Sequence, residues 1–263
     1  MIYNQTFLCQ QLGKALNNMV KNLLKIILPK NLIDLIIKVK HKYTDGYASK
    51  SYSQEGEDMI LKRLFETQEK GFYIDVGAHH PQKFSNTYFF YKKGWRGINI
   101  DAMPNSMKPF NKIRPKDINI EKAISDKKQI LTYYAFNEPA LNGFSRELSE
   151  KRDGQKNYFI KFTKDIETYT LEEILNDNLP KNQEIDFLSV DVEGLDFIVL
   201  KSNDFKKYKP KVILIEVLGS SLLDIKNNEI TKYLQQFNYS IYAKAVNTVI
   251  FISDKFYNDR YNQ

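Results

Sequence analysis

The order of apolar runs predicts an α/β fold: a mostly parallel sheet covered on both faces, closed by a C-terminal antiparallel hairpin strand and preceded by an N-terminal helical extension. Three observations predict it. Short continuous apolar runs, such as 72–76, 97–101 and 185–190, alternate with stretches of helical period, and continuous rather than alternating runs mark strands buried on both faces. Glycine and proline punctuate the runs at Gly71, Gly94 and Pro104. Near the end, two runs at 240–245 and 249–252 bracket a hairpin turn expected at Asn247-Thr248.

The elements follow in order. A helix is expected over 55–66, then the first strand at 72–76 and a helix over 85–93 that Gly94 ends, as a C-terminal glycine does. Next come strand 97–101, a short helix after Pro104, and strand 118–124. A mixed segment, about 125–167, is inserted between the third and fourth strands. Thr170-Leu171-Glu172-Glu173 is a capping box that opens a helix. Strand 185–190, helix 195–201, strand 212–217 and helix 228–237 carry the alternation to the closing hairpin. The expected organisation is therefore an N-terminal helical extension over 1–50 and one domain over 51–263 with a substrate-side insertion.

A chain of 263 residues, 42% hydrophobic and 13% aromatic, can bury a full core. Its net charge of +7 favours an anionic substrate, a membrane surface or nucleic acid, although the lysines are spread along the chain rather than gathered in a stripe. The single Cys9 excludes an internal disulfide and a cysteine-based zinc site, and fits a reducing, cytoplasmic setting. With only His41, His79 and His80, little is left for a histidine-rich metal site. No secretory leader is recognisable. The apolar stretch from Leu16 to Val39 is broken by lysines, Pro29 and Asp34 before it could span a bilayer. It reads as an amphipathic helix that docks on the main domain or a partner, with peripheral membrane contact as the second reading.

Asp75 and Asp101 each end a strand, 26 residues apart, where open parallel sheets bind ligands. The loop Asp75-Val76-Gly77-Ala78-His79-His80-Pro81 has one glycine where a dinucleotide fingerprint needs three, which disfavours NAD and FAD. Gly77 admits a ligand near the backbone, and Asp101 can accept from both hydroxyls of a ribose. An adenosyl ligand with a cationic centre and an ammonium near Asp75 suits these groups, and S-adenosylmethionine has those features. Either aspartate alone could equally be a helix cap or turn former.

These blocks also resemble a known family. Ser53-Gln54-Glu55-Gly56-Glu57-Asp58, the Asp75–Pro81 loop, Ser85-Asn86-Thr87, Gly94-Trp95-Arg96-Gly97 and Asp191-Val192-Glu193-Gly194 look like the FkbM family of S-adenosylmethionine-dependent methyltransferases, over about residues 51–217. The resemblance implies a Rossmann-like, seven-stranded class I methyltransferase fold and O-methylation, frequently of a sugar in a polysaccharide, glycolipid or natural product. It implies that Asp75, Gly77 and Ala78 line the methionine part of the cofactor, Asp101 the ribose, and Ala123, Ile124 and Ser125 the adenine edge. Gln54 would reach the cofactor's carboxylate.

A sugar hydroxyl needs a base or a metal before it attacks. His79 and His80 follow the cofactor loop and suit a base, or else pack and hydrogen-bond that loop. Asp191 and Glu193 end the fourth strand, where they could act as base, bind a divalent cation through oxygen, or cap the next helix. Glu216 is a further candidate at the end of the fifth strand. Asn86 and Thr87 are expected to contact substrate, while Ser85 caps a helix and Trp95 packs in the core. In the inserted segment, Tyr133, Tyr134 and Arg146 are expected over the cleft, suited to a sugar linked to phosphate; a self-packed cap or a homodimer contact are the alternatives there.

The expectation is thus a bacterial, cytoplasmic O-methyltransferase acting on a sugar, as a nucleotide sugar or in a capsular glycan under assembly. Its rivals are a nucleic-acid methyltransferase and a membrane-associated scaffold of polysaccharide assembly; no nucleic-acid motif supports the first.

Overall fold

A computed structural model describes residues 29–32, 35, 39, 48–219 and 221–261. The chain divides into two units, residues 1–50 and 51–263. In the first, residues 30–32, 35 and 39 are helical; Cys9, His41 and most of the apolar stretch expected as an amphipathic helix lie outside the described residues. Among the described residues no helix is long and apolar enough to cross a membrane.

In the second unit the elements run α1 (Glu57–Leu64), β1 (Phe72–Val76), α2 (Tyr88–Lys93), β2 (Arg96–Asp101), α3 (Met107–Ile113), β3 (Ile118–Glu121), β4 (Ala123–Ile124) and β5 (Ile130–Phe136). A 3-10 turn (Pro139–Leu141), α4 (Arg146–Arg152), β6 (Ile160–Tyr169), α5 (Leu171–Asn178), β7 (Phe187–Val190), α6 (Asp196–Lys201) and β8 (Val212–Glu216) follow. The chain ends with α7 (Leu222–Asn227), α8 (Glu229–Gln235), β9 (Tyr239–Ala245), β10 (Thr248–Ser253) and α9 (Asp254–Tyr261). The main sheet has seven strands in the order β3-β2-β1-β7-β8-β10-β9. β10 is antiparallel to both neighbours and the remaining pairs are parallel. This is the class I methyltransferase arrangement, with strand order reversing between β1 and β7.

Period-two alternation decides which helix each strand residue meets. Ile74, Val76, Leu188, Val190, Ile213 and Ile215 join one core with α5, α6 and α8. Tyr73, Phe187, Val212, Leu214, Ile250 and Ile252 face the other way, onto Leu61, Leu64, Phe65, Phe90 and Trp95. The capping box opens α5: Glu173 N donates to Thr170 Oγ1 at 3.1 Å and Thr170 N to a Glu173 carboxylate oxygen at 2.8 Å.

The structure departs from the sequence reading in several places, among them two short helices that it did not expect, α7 and α9. α2 starts at Tyr88 rather than 85, because Ser85 and Thr87 are drawn into a buried polar network. The expected strand 118–124 is two strands, since β4 leaves the main sheet to pair with β6. The hairpin turn is Val246-Asn247, one residue early, with Val246 at φ 46; Val249 and Ile250 must stay in register with buried β8, and the turn takes up the mismatch. The insertion carries two strands, β5 and β6, paired antiparallel beside β4 in a three-stranded sheet. Six of the ten residues of β6 are polar, and Lys164 and the exposed Phe162 interrupt its apolar face, so it lacks the clean alternation by which a strand is recognised.

Candidate active site

A cavity of about 510 Å³ opens beyond the carboxyl ends of β1, β2, β7 and β8, a volume typical of small-ligand sites. The β1 loop and the segment 54–57 contribute to its walls, and the insertion adds Tyr133 and Asn142.

At one end lies Asp101. It accepts the backbone N–H of His79 at 2.9 Å on one oxygen and that of Met103 at 2.8 Å on the other. Each carboxylate oxygen therefore keeps a lone pair for a ribose hydroxyl. Burial pushes the Asp101 pKa up, and the two backbone donors oppose that shift. Ile100, Met103 and Ile124 supply apolar wall at the same end. Tyr133, expected over the substrate, stands at this end instead: it is 5% exposed, and Asp101 and Asn142 are the polar neighbours that act on its hydroxyl.

Asp75 does not share that hollow. Its carboxylate is buried below the loop and accepts from Thr87 Oγ1 at 2.7 Å. Thr87 Oγ1 accepts from Arg114 at 3.0 Å, and Arg114 also binds Tyr73 OH at 2.8 Å and Asp117 at 2.9 Å, with both side chains of that ion pair fully buried. On β1, Tyr73 and Asp75 point to the same face, so Asp75 joins this network rather than the cavity. Burial raises its pKa. Thr87, expected to touch substrate, is likewise fully buried.

Gly77 lines the cavity, but a Cβ there would sit 1.7 Å from the Asp191 carbonyl oxygen. Its missing side chain thus seats the β1 loop against the β7 loop, and its φ of 81 adds a second demand for glycine. Ala78 packs on Met107 and Phe110. Ala123 and Ser125 are buried outside the cavity lining, leaving Ile124 alone of that trio in the wall. Gln54 is in the wall, as expected of a cofactor contact.

The other end is acidic. Asp191, Glu193 and Glu216 bring carboxylate oxygens within 4.8 Å of one another, and Glu55 and Glu57 also line the cavity. Neither Asp191 nor Glu193 caps α6, whose N-cap Leu195 has no side-chain cap bond; Asp196, the first residue of the helix, instead accepts from Val192 N at 2.9 Å and Gly194 N at 3.0 Å in the preceding loop. That bonding holds the 191–194 loop, with Glu193 at φ 55, so that the other two acids face the cavity. Arg152, from α4 of the insertion, pairs with Glu193 at 2.7 Å. Enclosure, then the charges of Glu193 and Asp196, push Glu216 up to about 8, and one of its oxygens is buried with no hydrogen-bond partner. Desolvation at the base of the cavity, then the charges of Glu216, Asp196 and Glu193, raise the Asp191 pKa well above its ordinary value, although the residue keeps solvent exposure. Such a trio can take up protons at neutral pH or hold a divalent cation through oxygen.

His79 and His80 both border the cavity. His80 Nδ1 accepts the backbone N–H groups of Gln82 at 3.1 Å and Lys83 at 2.9 Å. Burial lowers its pKa, so the ring is neutral with its proton on Nε2 and has no lone pair left for a base. It ties the loop. His79 is held by its backbone at Asp101; burial lowers its pKa too, leaving a neutral imidazole in the wall. Asn86 faces the cavity and donates to Ser189 Oγ on β7 at 3.0 Å. Tyr134 and Arg146 lie outside the lining: Tyr134 bridges to Gly143 through its backbone, and Arg146 pairs with Glu150 on the exposed side of α4. Sequence reasoning missed Met103 and Asn142, which lack a motif and reach the cavity only through tertiary packing, while Arg152, one of the basic residues expected over the cleft from the insertion, does line it.

Residues 75–241 match the family described as the methyltransferase FkbM domain. The chain belongs to the FkbM methyltransferase family. It is accordingly an S-adenosylmethionine-dependent methyltransferase, and the Asp101 end of the cavity fits that cofactor, with unused acceptor lone pairs beside apolar wall. No curated protein matches the chain. A TehB-like SAM-dependent methyltransferase from Corynebacterium glutamicum is a similar solved structure, at 9% identity over 86% of this chain and 100% of that one, with a TM-score of 0.38.

Proposed function

We propose that this FkbM methyltransferase transfers a methyl group to a sugar hydroxyl. The observation that carries the reading is the acidic end of the cavity, where Asp191, Glu193 and Glu216 converge beside the expected cofactor site. S-adenosylmethionine supplies an electrophilic methyl on a sulfonium, and the chain's own task is to orient the acceptor oxygen and take its proton. Asp101 holds the ribose, with Gln54, Met103 and Ile124 around the remainder of the cofactor. Asn86 and the carboxylates accept and donate hydrogen bonds to neighbouring hydroxyls, fixing one of them in line for attack. Asp191 and Glu216 receive the proton; a base whose pKa lies near the working pH is the efficient kind. His79, between Asp101 and the acidic end, orients the acceptor.

A divalent cation across Asp191, Glu193 and Glu216 would lower the hydroxyl's pKa and allow the same transfer at lower pH. The five carboxylates disfavour a nucleic-acid polyanion at the reacting end. A nucleotide sugar or a glycan precursor enters sugar first, with its phosphates toward the mouth.

Two measurements test this. Incubation with S-adenosylmethionine and a panel of nucleotide sugars and free glycans, with and without Mg²⁺, should show a methyl gain by mass spectrometry. Calorimetry with S-adenosylhomocysteine should show binding that Asp101→Ala weakens at least about tenfold, the loss of one charged hydrogen-bonding group. S-adenosylhomocysteine binding without methylation of any sugar would overturn the acceptor class; full affinity in Asp101→Ala would remove that residue from the ribose.

A further inference from the structure

Phe84 borders the cavity in a conformation that a large side chain adopts only under constraint. Its φ is 56, in the left-handed region, where a bulky residue is a genuine outlier. Such strain persists when the surroundings over-determine it, and both neighbours of Phe84 are pinned. Lys83 donates its N–H to His80 Nδ1 at 2.9 Å. Ser85 donates its N–H to Tyr52 O at 3.0 Å, and its hydroxyl is buried beside Thr87 and Arg114. With the chain fixed on both sides, the ring is held out at 42% exposure rather than folded into the core.

What the ring faces is the cavity. Its second neighbour, Asn86, binds Ser189, two residues before Asp191, which places the ring on the acceptor's side. The Lys83 ammonium stands 4.4 Å from the ring centroid and occupies one face. No other aromatic ring packs on Phe84 among the described residues, whereas Phe144, also in the wall, is engaged by Tyr133 at 5.0 Å. An exposed aromatic face beside polar groups is the surface on which the C–H face of a sugar ring lies well.

We propose that Phe84 is the stacking platform for the acceptor sugar, and so a specificity-determining residue of the methyl transfer. This rests on the sugar reading above and narrows it: the acceptor presents an apolar sugar face to Phe84 while its hydroxyl edge meets Asn86 and the carboxylates. Neither the cofactor nor the fold depends on the ring.

The test uses the full chain with saturating S-adenosylmethionine and the sugar that gains a methyl. Phe84→Ala should raise the acceptor KM about 3- to 10-fold, the range expected for one aromatic contact, while the S-adenosylhomocysteine Kd stays within about twofold. Phe84→Tyr should keep the wild-type KM. Phe84→Gly should raise KM equally while leaving Tm unchanged or higher, because glycine relieves the left-handed backbone; a residue with a purely structural role would lose Tm instead. In a parallel arm, Phe84→Trp adds an indole at the mouth, distinct from fully buried Trp95, and its fluorescence should change on adding the nucleotide sugars in the presence of S-adenosylhomocysteine. Unchanged KM in Phe84→Ala with intact sugar methylation overturns the platform alone. Absence of both methylation and fluorescence change across the panel overturns the platform and the sugar reading together.

Discussion

Replacing Glu216 with glutamine should make the protein more stable at alkaline pH and leave it nearly unchanged at acid pH. Enclosure and the Glu193 and Asp196 charges raise the Glu216 pKa from 4.5 to about 8. A carboxyl raised in the folded state favours folding while it is protonated. Its contribution is fully present below pH 4.5 and is lost as pH climbs through about 8. At about 1.36 kcal/mol for each tenfold in proton affinity, the upper bound is about 5 kcal/mol. The cavity is open to water, which screens the charges and brings the figure to about 1–3 kcal/mol. Glutamine keeps the shape, gives up the charge and breaks no hydrogen bond at the orphaned oxygen. For a domain of this size, about 2–4 °C of Tm per kcal/mol is expected. The variant should therefore exceed wild type by about 2–12 °C at pH 8.5 and lie within about 2 °C of it at pH 5. Differential scanning calorimetry in cation-free buffer at both pH values decides it. A gap equal at the two pH values, or wider at pH 5, would refute the reasoning that burial and like charge set this group's proton affinity.

Three other outcomes follow from the same geometry. Asp75→Asn should lower stability by about 1–3 kcal/mol by disturbing the buried Thr87 and Arg114 bonds, yet leave S-adenosylhomocysteine affinity within about threefold in calorimetry. Gly77→Ala should cost more than about 4 kcal/mol, because its Cβ would meet the Asp191 carbonyl oxygen at 1.7 Å and that carbonyl is backbone, which cannot rotate away; soluble yield and Tm report it. Methyl transfer in cation-free buffer should rise with pH through the Glu216 value of about 8, and added Mg²⁺ should move that rise to lower pH, read from the pH–rate profile.

Much of the fold was legible in the sequence because its signals are local. Continuous apolar runs announce buried strands, Gly94 ends α2 at φ 104, and the Thr170–Glu173 box opens α5. Asp101 and Asp191 were legible as cavity residues for a related reason: a residue at the carboxyl end of a parallel strand has its position set by topology. The insertion was legible as a segment but the strands inside it were not, since a largely polar, exposed strand such as β6 is defined by its hydrogen-bond partner and not by its own composition.

Side-chain direction and proton affinity belonged to the tertiary structure. Asp75 and Asp101 look alike in the sequence, each closing an apolar run, yet Arg114 and Thr87 claim one while the other borders the cavity. Two adjacent histidines differ because backbone N–H groups take the lone pair of His80 and leave the ring of His79 alone. Arg152 reaches Glu193 across 41 positions of chain. By itself the sequence determined the strands of the main sheet and which acids end them, because apolar periodicity and strand termini are local properties. Only the packed structure decided where each carboxylate points and how tightly it holds its proton, because those depend on charges and walls brought together from distant parts of the chain.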